Sequence, residues 1–107
     1  MTEGIENFVR VAAVADVPPG KLLGVEVDGH SICLANADGQ LYAFKNNCSH
    51  RDFPLDTGEL EGAQVECSWH GAKFDVTTGK ALQLPAIKPI VTYEVRVDGD
   101  DILVAVE

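Results

Sequence analysis

From Lys21 to Val27 apolar side chains recur at every second position, with Leu23, Val25 and Val27 on one face, which is the period of a half-buried strand. Gln40 to Lys45 repeats it, Leu41, Ala43 and Lys45 alternating with Tyr42 and Phe44. Between the two lies His30 to Ala35, bounded by Asp28-Gly29 and Asp38-Gly39. Asp-Gly between alternating runs is a two-residue hairpin signal. A third pair, Asp98-Gly99, joins Thr92–Val97 to Ile102–Val106. Asn7 to Val14, with Phe8, Val9, Val11 and Val14, predicts a first strand. Asp16-Val17-Pro18-Pro19-Gly20 stops it, because prolines remove backbone donors and Gly20 permits positive φ. Short strands and hairpin turns without an amphipathic helix predict an all-β chain, an antiparallel sandwich or barrel.

The stretch from Asn46 to about Pro85 has a different character. It predicts short strands around Gln64–Glu66 and Lys73–Val76, a turn at Thr77-Thr78-Gly79-Lys80 and one short helical turn near Asp56–Leu60. The expected organisation is one domain over residues 1–107, with a β base built from both ends of the chain and a small lobe, about 46–85, inserted in it.

That lobe carries the candidate chemistry. Cys48-Ser49-His50 is followed, after sixteen residues, by Cys67-Ser68-Trp69-His70. Two thiols and two imidazoles in two similar loops point to one metal site at Cys48, His50, Cys67 and His70. The order of the ligands discriminates among metals. Zinc fingers usually take both Cys from one hairpin and both His from a helix. An all-thiolate two-iron cluster needs four Cys, and this chain has three. One Cys and one His from each loop is the ligand set of a [2Fe–2S] centre in which two His replace two Cys on one iron. The same residues leave two other readings open: a structural zinc module, and a Cys–His hydrolase using Cys48 or Cys67 as nucleophile.

Charge narrows the partners. With 8 basic against 17 acidic residues the net charge is −9, so nucleic acid and anionic membrane, which reward clustered Lys and Arg, are unsuited. An acidic surface suits a carrier steered onto basic patches of other proteins, or simply keeps the chain soluble. No apolar run approaches the length of a membrane span, the first residues hold no signal core, and an odd number of Cys argues against a secreted disulfide framework. A cytoplasmic address is expected.

The chain resembles the Rieske-type ferredoxins of bacterial aromatic-ring-hydroxylating oxygenase systems along essentially its whole length. The resemblance is carried by the two ligand loops, Ala15-Asp16-Val17-Pro18-Pro19-Gly20, Phe74-Asp75 with Thr78-Gly79, Leu84-Pro85-Ala86 and the closing Tyr93-Glu94-Val95. It implies a Rieske [2Fe–2S] cluster with Cys48 and Cys67 on the inner iron and His50 and His70 on the outer one. It further implies a monomeric electron carrier rather than an enzyme, taking electrons from a flavin-containing, NAD(P)H-dependent reductase and passing them to a terminal oxygenase. A small Rieske subunit of a larger complex, such as a nitrite-reductase-like assembly, is the alternative it allows.

The resemblance also bears on the potential. High-potential Rieske proteins carry an extra Cys in each loop, where this chain has Phe53 and Trp69, and hydroxyl donors where it has Ala72 and Phe74. Donors to sulfur stabilise the reduced cluster, so their loss implies the low end of a window of about −150 to +300 mV. Among the other residues, Cys33 reads as a small buried hydrophobe and His30 as a solvated turn residue. Phe53, Pro54, Leu55, Trp69, Leu84, Pro85 and Ala86 read as an apolar collar around the two His, one that shields the cluster from water and also offers a redox partner a flat apolar tip. Gly71 reads as a close-approach or turn glycine, Arg51 and Asp52 as docking residues or an ion pair, and Ser49 and Ser68 as loop-shaping residues.

Overall fold

A strand buried on both faces organises the chain. The computed structural model describes residues 8–27, 29–47, 54–67, 72–83 and 89–105. In it β3 (His30–Ala37) pairs antiparallel with β2 (Leu22–Val27) and β4 (Gln40–Lys45). β9 (Thr92–Tyr93) joins the far edge of β4, so the order is β2-β3-β4-β9. Alternation then sorts the side chains of β3: Ile32 and Leu34 enter one core, Cys33, Ala35 and Ala37 the other.

The first core lies against a second sheet, ordered β1-β11-β10, of β1 (Phe8–Ala13), β11 (Asp101–Ala105) and β10 (Val95–Asp98). Both ends of the chain meet there, with Val9 opposite Val104. Ile102 and Val104 pack with Val17, Ile32 and Leu34, all fully buried. The second core lies against a third sheet, a meander of β5 (Glu59–Glu61), β6 (Gln64–Glu66), β7 (Lys73–Asp75) and β8 (Ala81–Gln83). Phe44 from β4 meets Leu55, Val65 and Phe74 in it. The expected β base from both chain ends and inserted β lobe are thus present.

The first two Asp-Gly signals differ in what can be described. Asp38 and Gly39 have φ of 56° and 93°, the pair of left-handed residues that a two-residue I′ hairpin turn requires. Asp28 lies outside the described residues. Asn36 secures the Asp38-Gly39 turn from below. It is only 4% exposed, yet its amide donates to the Val17 carbonyl at 2.7 Å and accepts from Gly39 N–H at 2.7 Å. Buried polar atoms with such partners cost little.

Four expectations are corrected. The stretch Thr92–Val97 is not one strand: it breaks at Glu94, so that β9 pairs with β4 and β10 with β11. One extended segment thereby turns the corner between two sheets. The first strand ends at Ala13 and gives way to a 3-10 turn at Val14–Asp16, where the Ala13 N–H donates to the Asp16 carboxylate at 3.1 Å. The helical turn falls at Leu55–Thr57, and Glu59 and Leu60 are strand instead. Finally, β5 and β8 have no counterpart in the sequence reading.

Phe44, on the central sheet and fully buried, packs into the core shared with the lobe. Phe44→Ala should lower unfolding stability by about 3–5 kcal/mol, the usual cost of emptying an aromatic site. Urea denaturation followed by circular dichroism measures this, and a loss below about 1 kcal/mol would contradict the packing.

Candidate metal centre

Of the four candidate ligands, Cys67 lies among the described residues; Cys48, His50 and His70 lie outside them, as do Ser49, Arg51, Asp52, Phe53, Ser68, Trp69 and Gly71. The structure fixes the chain on either side of both loops, and there it is well tied.

The first loop leaves the end of β4. Lys45 N–H donates to the Val91 carbonyl at 2.8 Å and Asn46 N–H to the Ser31 carbonyl at 2.9 Å, so its start is fastened on both sides. It returns at Leu55. The side-chain carbonyl of Asn46 accepts from the N–H groups of Leu55 and Asp56, at 2.8 and 2.9 Å, and so ties the loop's two ends together. An amide oxygen has two lone pairs, and both are used here. The second loop is the β6–β7 hairpin extended by one more rung. Beyond the pair Glu66–Lys73, Cys67 N–H donates to the Ala72 carbonyl at 2.7 Å.

Both closures face the same core. Leu55, Cys67, Ala72 and Phe74 belong to one buried cluster, and Cys67 is 1% exposed. Apolar surroundings are a costly place for a bare thiolate. Iron bound at the sulfur would supply the missing positive charge, and burial would then shield the thiolate from oxidation. The donor set and the setting of Cys67 therefore fit a buried iron–thiolate bond.

Cys33 shares that cluster and is fully buried. Burial pushes its thiol well above the usual range, and the nearby Asp56 carboxylate pushes in the same direction. A thiol held protonated in this way is a small hydrophobe, as expected. Of the apolar collar, Leu55 is fully buried in the core shared with Cys67, while Pro54 beside it is exposed. One expectation needs correction. His30 is half-buried, its ring edge-on to Tyr93 with centroids 6.4 Å apart, rather than loose in a solvated turn. The remaining collar residues, Leu84, Pro85 and Ala86, lie outside the described residues with Phe53 and Trp69. Asn46 was missed by sequence reasoning; the available signal was an Asn at the end of a strand, a residue that bonds backbone amides where regular structure stops.

Two loops, each closed at its base and rooted in one core of an antiparallel β scaffold, define the class, and the chain belongs to the Rieske [2Fe-2S] domain family, which matches residues 7–94. The ferredoxin component of the naphthalene 1,2-dioxygenase/salicylate 5-hydroxylase systems of a Ralstonia species is 38% identical over 102 residues, covering 95% of this chain and 98% of the relative. Among solved structures, the ferredoxin of carbazole 1,9a-dioxygenase from Nocardioides aromaticivorans IC177 superposes with a TM-score of 0.89 at 37% identity, covering 94% of this chain and 98% of that one. A chain from a complex of reduced oxygenase and oxidized ferredoxin in carbazole 1,9a-dioxygenase superposes with a TM-score of 0.88 at 30% identity, covering 94% of both chains. The cofactor is thus a Rieske-type [2Fe–2S] cluster, and the protein is a ferredoxin-type electron carrier rather than a catalyst. Among the described residues, no helix is long and apolar enough to cross a membrane.

Proposed function

We propose that this protein is a cytoplasmic, monomeric carrier that moves single electrons from a flavin-containing, NAD(P)H-dependent reductase to a terminal ring-hydroxylating oxygenase. Cys48 and Cys67 hold the inner iron of its cluster and His50 and His70 the outer one. The observation that carries this reading is the full-length likeness to dioxygenase ferredoxins, one of them solved together with its oxygenase. When bound, the cluster supplies a centre that accepts and returns one electron at a potential above that of all-thiolate clusters, about −400 mV for plant-type ferredoxins.

The chain's own residues do the rest. The burial of Cys67 supports thiolates on the side facing the core. Imidazole keeps a second ring nitrogen, so His50 and His70 offer an edge to solvent or a partner. The net charge of −9 steers the carrier toward basic patches and should make its encounters sensitive to salt.

Reconstitution with candidate reductases and oxygenases tests the proposal. Product formation should require this protein together with both partners, and the rate at limiting carrier should fall as ionic strength rises. An oxygenase turning over equally well without it would refute the carrier role. Gel filtration from native extract adds a second check, since a monomeric carrier elutes alone and a permanent subunit elutes with its assembly.

A further inference from the structure

A single short element touches the base of both ligand loops. At the start of the 3-10 turn Leu55–Thr57, the N–H groups of Leu55 and Asp56 bond the side chain of Asn46, two positions before Cys48. At its end, Gly58 N–H donates to the Leu55 carbonyl at 3.0 Å and closes the turn. There Gly58 presses against the backbone of Glu66, the residue before Cys67: a Cβ on Gly58 would overlap the Glu66 carbonyl oxygen. Its φ of −86° and ψ of −155° are open to any residue, so glycine is needed for space.

The turn is confined on its other sides as well. Leu55 is fully buried in the core shared with Cys67. Against β2, a Cβ on Gly24 would overlap the Asp56 carboxylate and stand 3.1 Å from Asn46 Nδ2. Close-packed interiors transmit displacement rather than absorb it.

We propose that the Leu55–Thr57 turn is a spacer that sets the two ligand loops relative to each other, with Asn46 and Gly58 as positioning residues for the cluster. This rests on the assignment of Cys48, His50, Cys67 and His70 as ligands. A cluster bridging two loops needs a fixed span between them. Asn46 ties the turn to the first loop, and the missing side chain of Gly58 lets it seat against the second. Moving either end changes the span without touching a ligand.

The test uses the cluster-loaded full chain and three readouts: far-ultraviolet circular dichroism, the paramagnetic-resonance g-values of the reduced cluster, and the rate of cluster loss to a chelator. Gly58→Ala and Asn46→Ala should keep the β signal, shift the g-values and lose the cluster roughly tenfold faster, as outer-shell changes do. Asn46→Asp combined with Asp56→Asn keeps both accepted bonds without setting two carboxylates side by side, and should behave as the native protein. If Asn46→Ala does not accumulate folded, Gly58→Ala carries the comparison with the native protein alone. Native g-values and loss rates in Gly58→Ala and Asn46→Ala would overturn the spacer role, and so would an Asn46→Asp/Asp56→Asn protein as damaged as Asn46→Ala. His50→Ala separates the two levels. If it retains the native signal, the ligand assignment itself falls and takes the spacer with it; if it loses the signal while the turn variants stay native, the spacer alone falls.

Discussion

Cys67→Ser should yield a colourless protein. Cys67 sits at the base of the second loop with 1% of its surface exposed, among Leu55, Ala72 and Phe74. A serine hydroxyl is harder than a thiolate and does not ionise in such surroundings, so it cannot replace a soft, anionic ligand on iron. It also brings a polar group into an apolar site, at a cost of about 1–3 kcal/mol when left without a partner. Cluster and stability should fall together. Visible absorption and paramagnetic resonance of the purified variant read the first, and a red-brown protein with the native signal would remove Cys67 from the ligand set. Cys33→Ser is the matched control. It lies in the same buried cluster, but its thiol is kept protonated by burial and by Asp56. The same hydroxyl should cost similar stability there and leave the spectrum unchanged; loss of colour would mean that Cys33 has a part in holding the cluster.

The contrast between these two thiols shows where the sequence was readable. Alternation around Asp38-Gly39 was enough to place β3 and β4 as a hairpin, because turn chemistry and period agree there. That Cys33 faces the lobe while Ile32 and Leu34 face the other sheet is a tertiary fact: β3 is apolar on both faces, and periodicity cannot say which core each face meets. The split at Glu94 was hidden for a related reason. Thr92–Tyr93 and Val95–Asp98 share one extended pattern, and only the partners β4 and β11 divide it. Of the site, the Cys–His spacing names a candidate ligand set from the sequence alone, because metal ligands are set by chemistry. The bonds from Asn46 to Leu55 and Asp56 were not, since they join residues nine and ten positions apart through a loop whose closure no local pattern encodes.

The midpoint potential is expected in the lower part of the window of about −150 to +300 mV, and adding hydroxyls at two buried positions should raise it. By the resemblance to Rieske proteins, Ala72 and Phe74 are matched to positions where high-potential members place hydroxyl donors; here both are fully buried and packed in the core of Cys67. A reduced cluster carries one more negative charge than an oxidised one. A hydrogen bond to its sulfur is therefore stronger after reduction. A difference of about 1 kcal/mol per donor corresponds to about 40 mV for a one-electron couple, so Ala72→Ser with Phe74→Tyr should raise the midpoint by roughly 80 mV. The Ala72 carbonyl already accepts from Cys67 N–H at 2.7 Å, and a serine there keeps that backbone bond. Overfilling the core at Phe74 costs about 1–3 kcal/mol of stability, which thermal unfolding separates from the redox effect. Voltammetry on the native protein and the double variant decides both claims. A strongly positive native midpoint would overturn the low-potential reading. A folded double variant whose midpoint is unchanged or lower would mean that hydroxyls at these positions do not reach the sulfurs, and that some other property of the loops sets the potential.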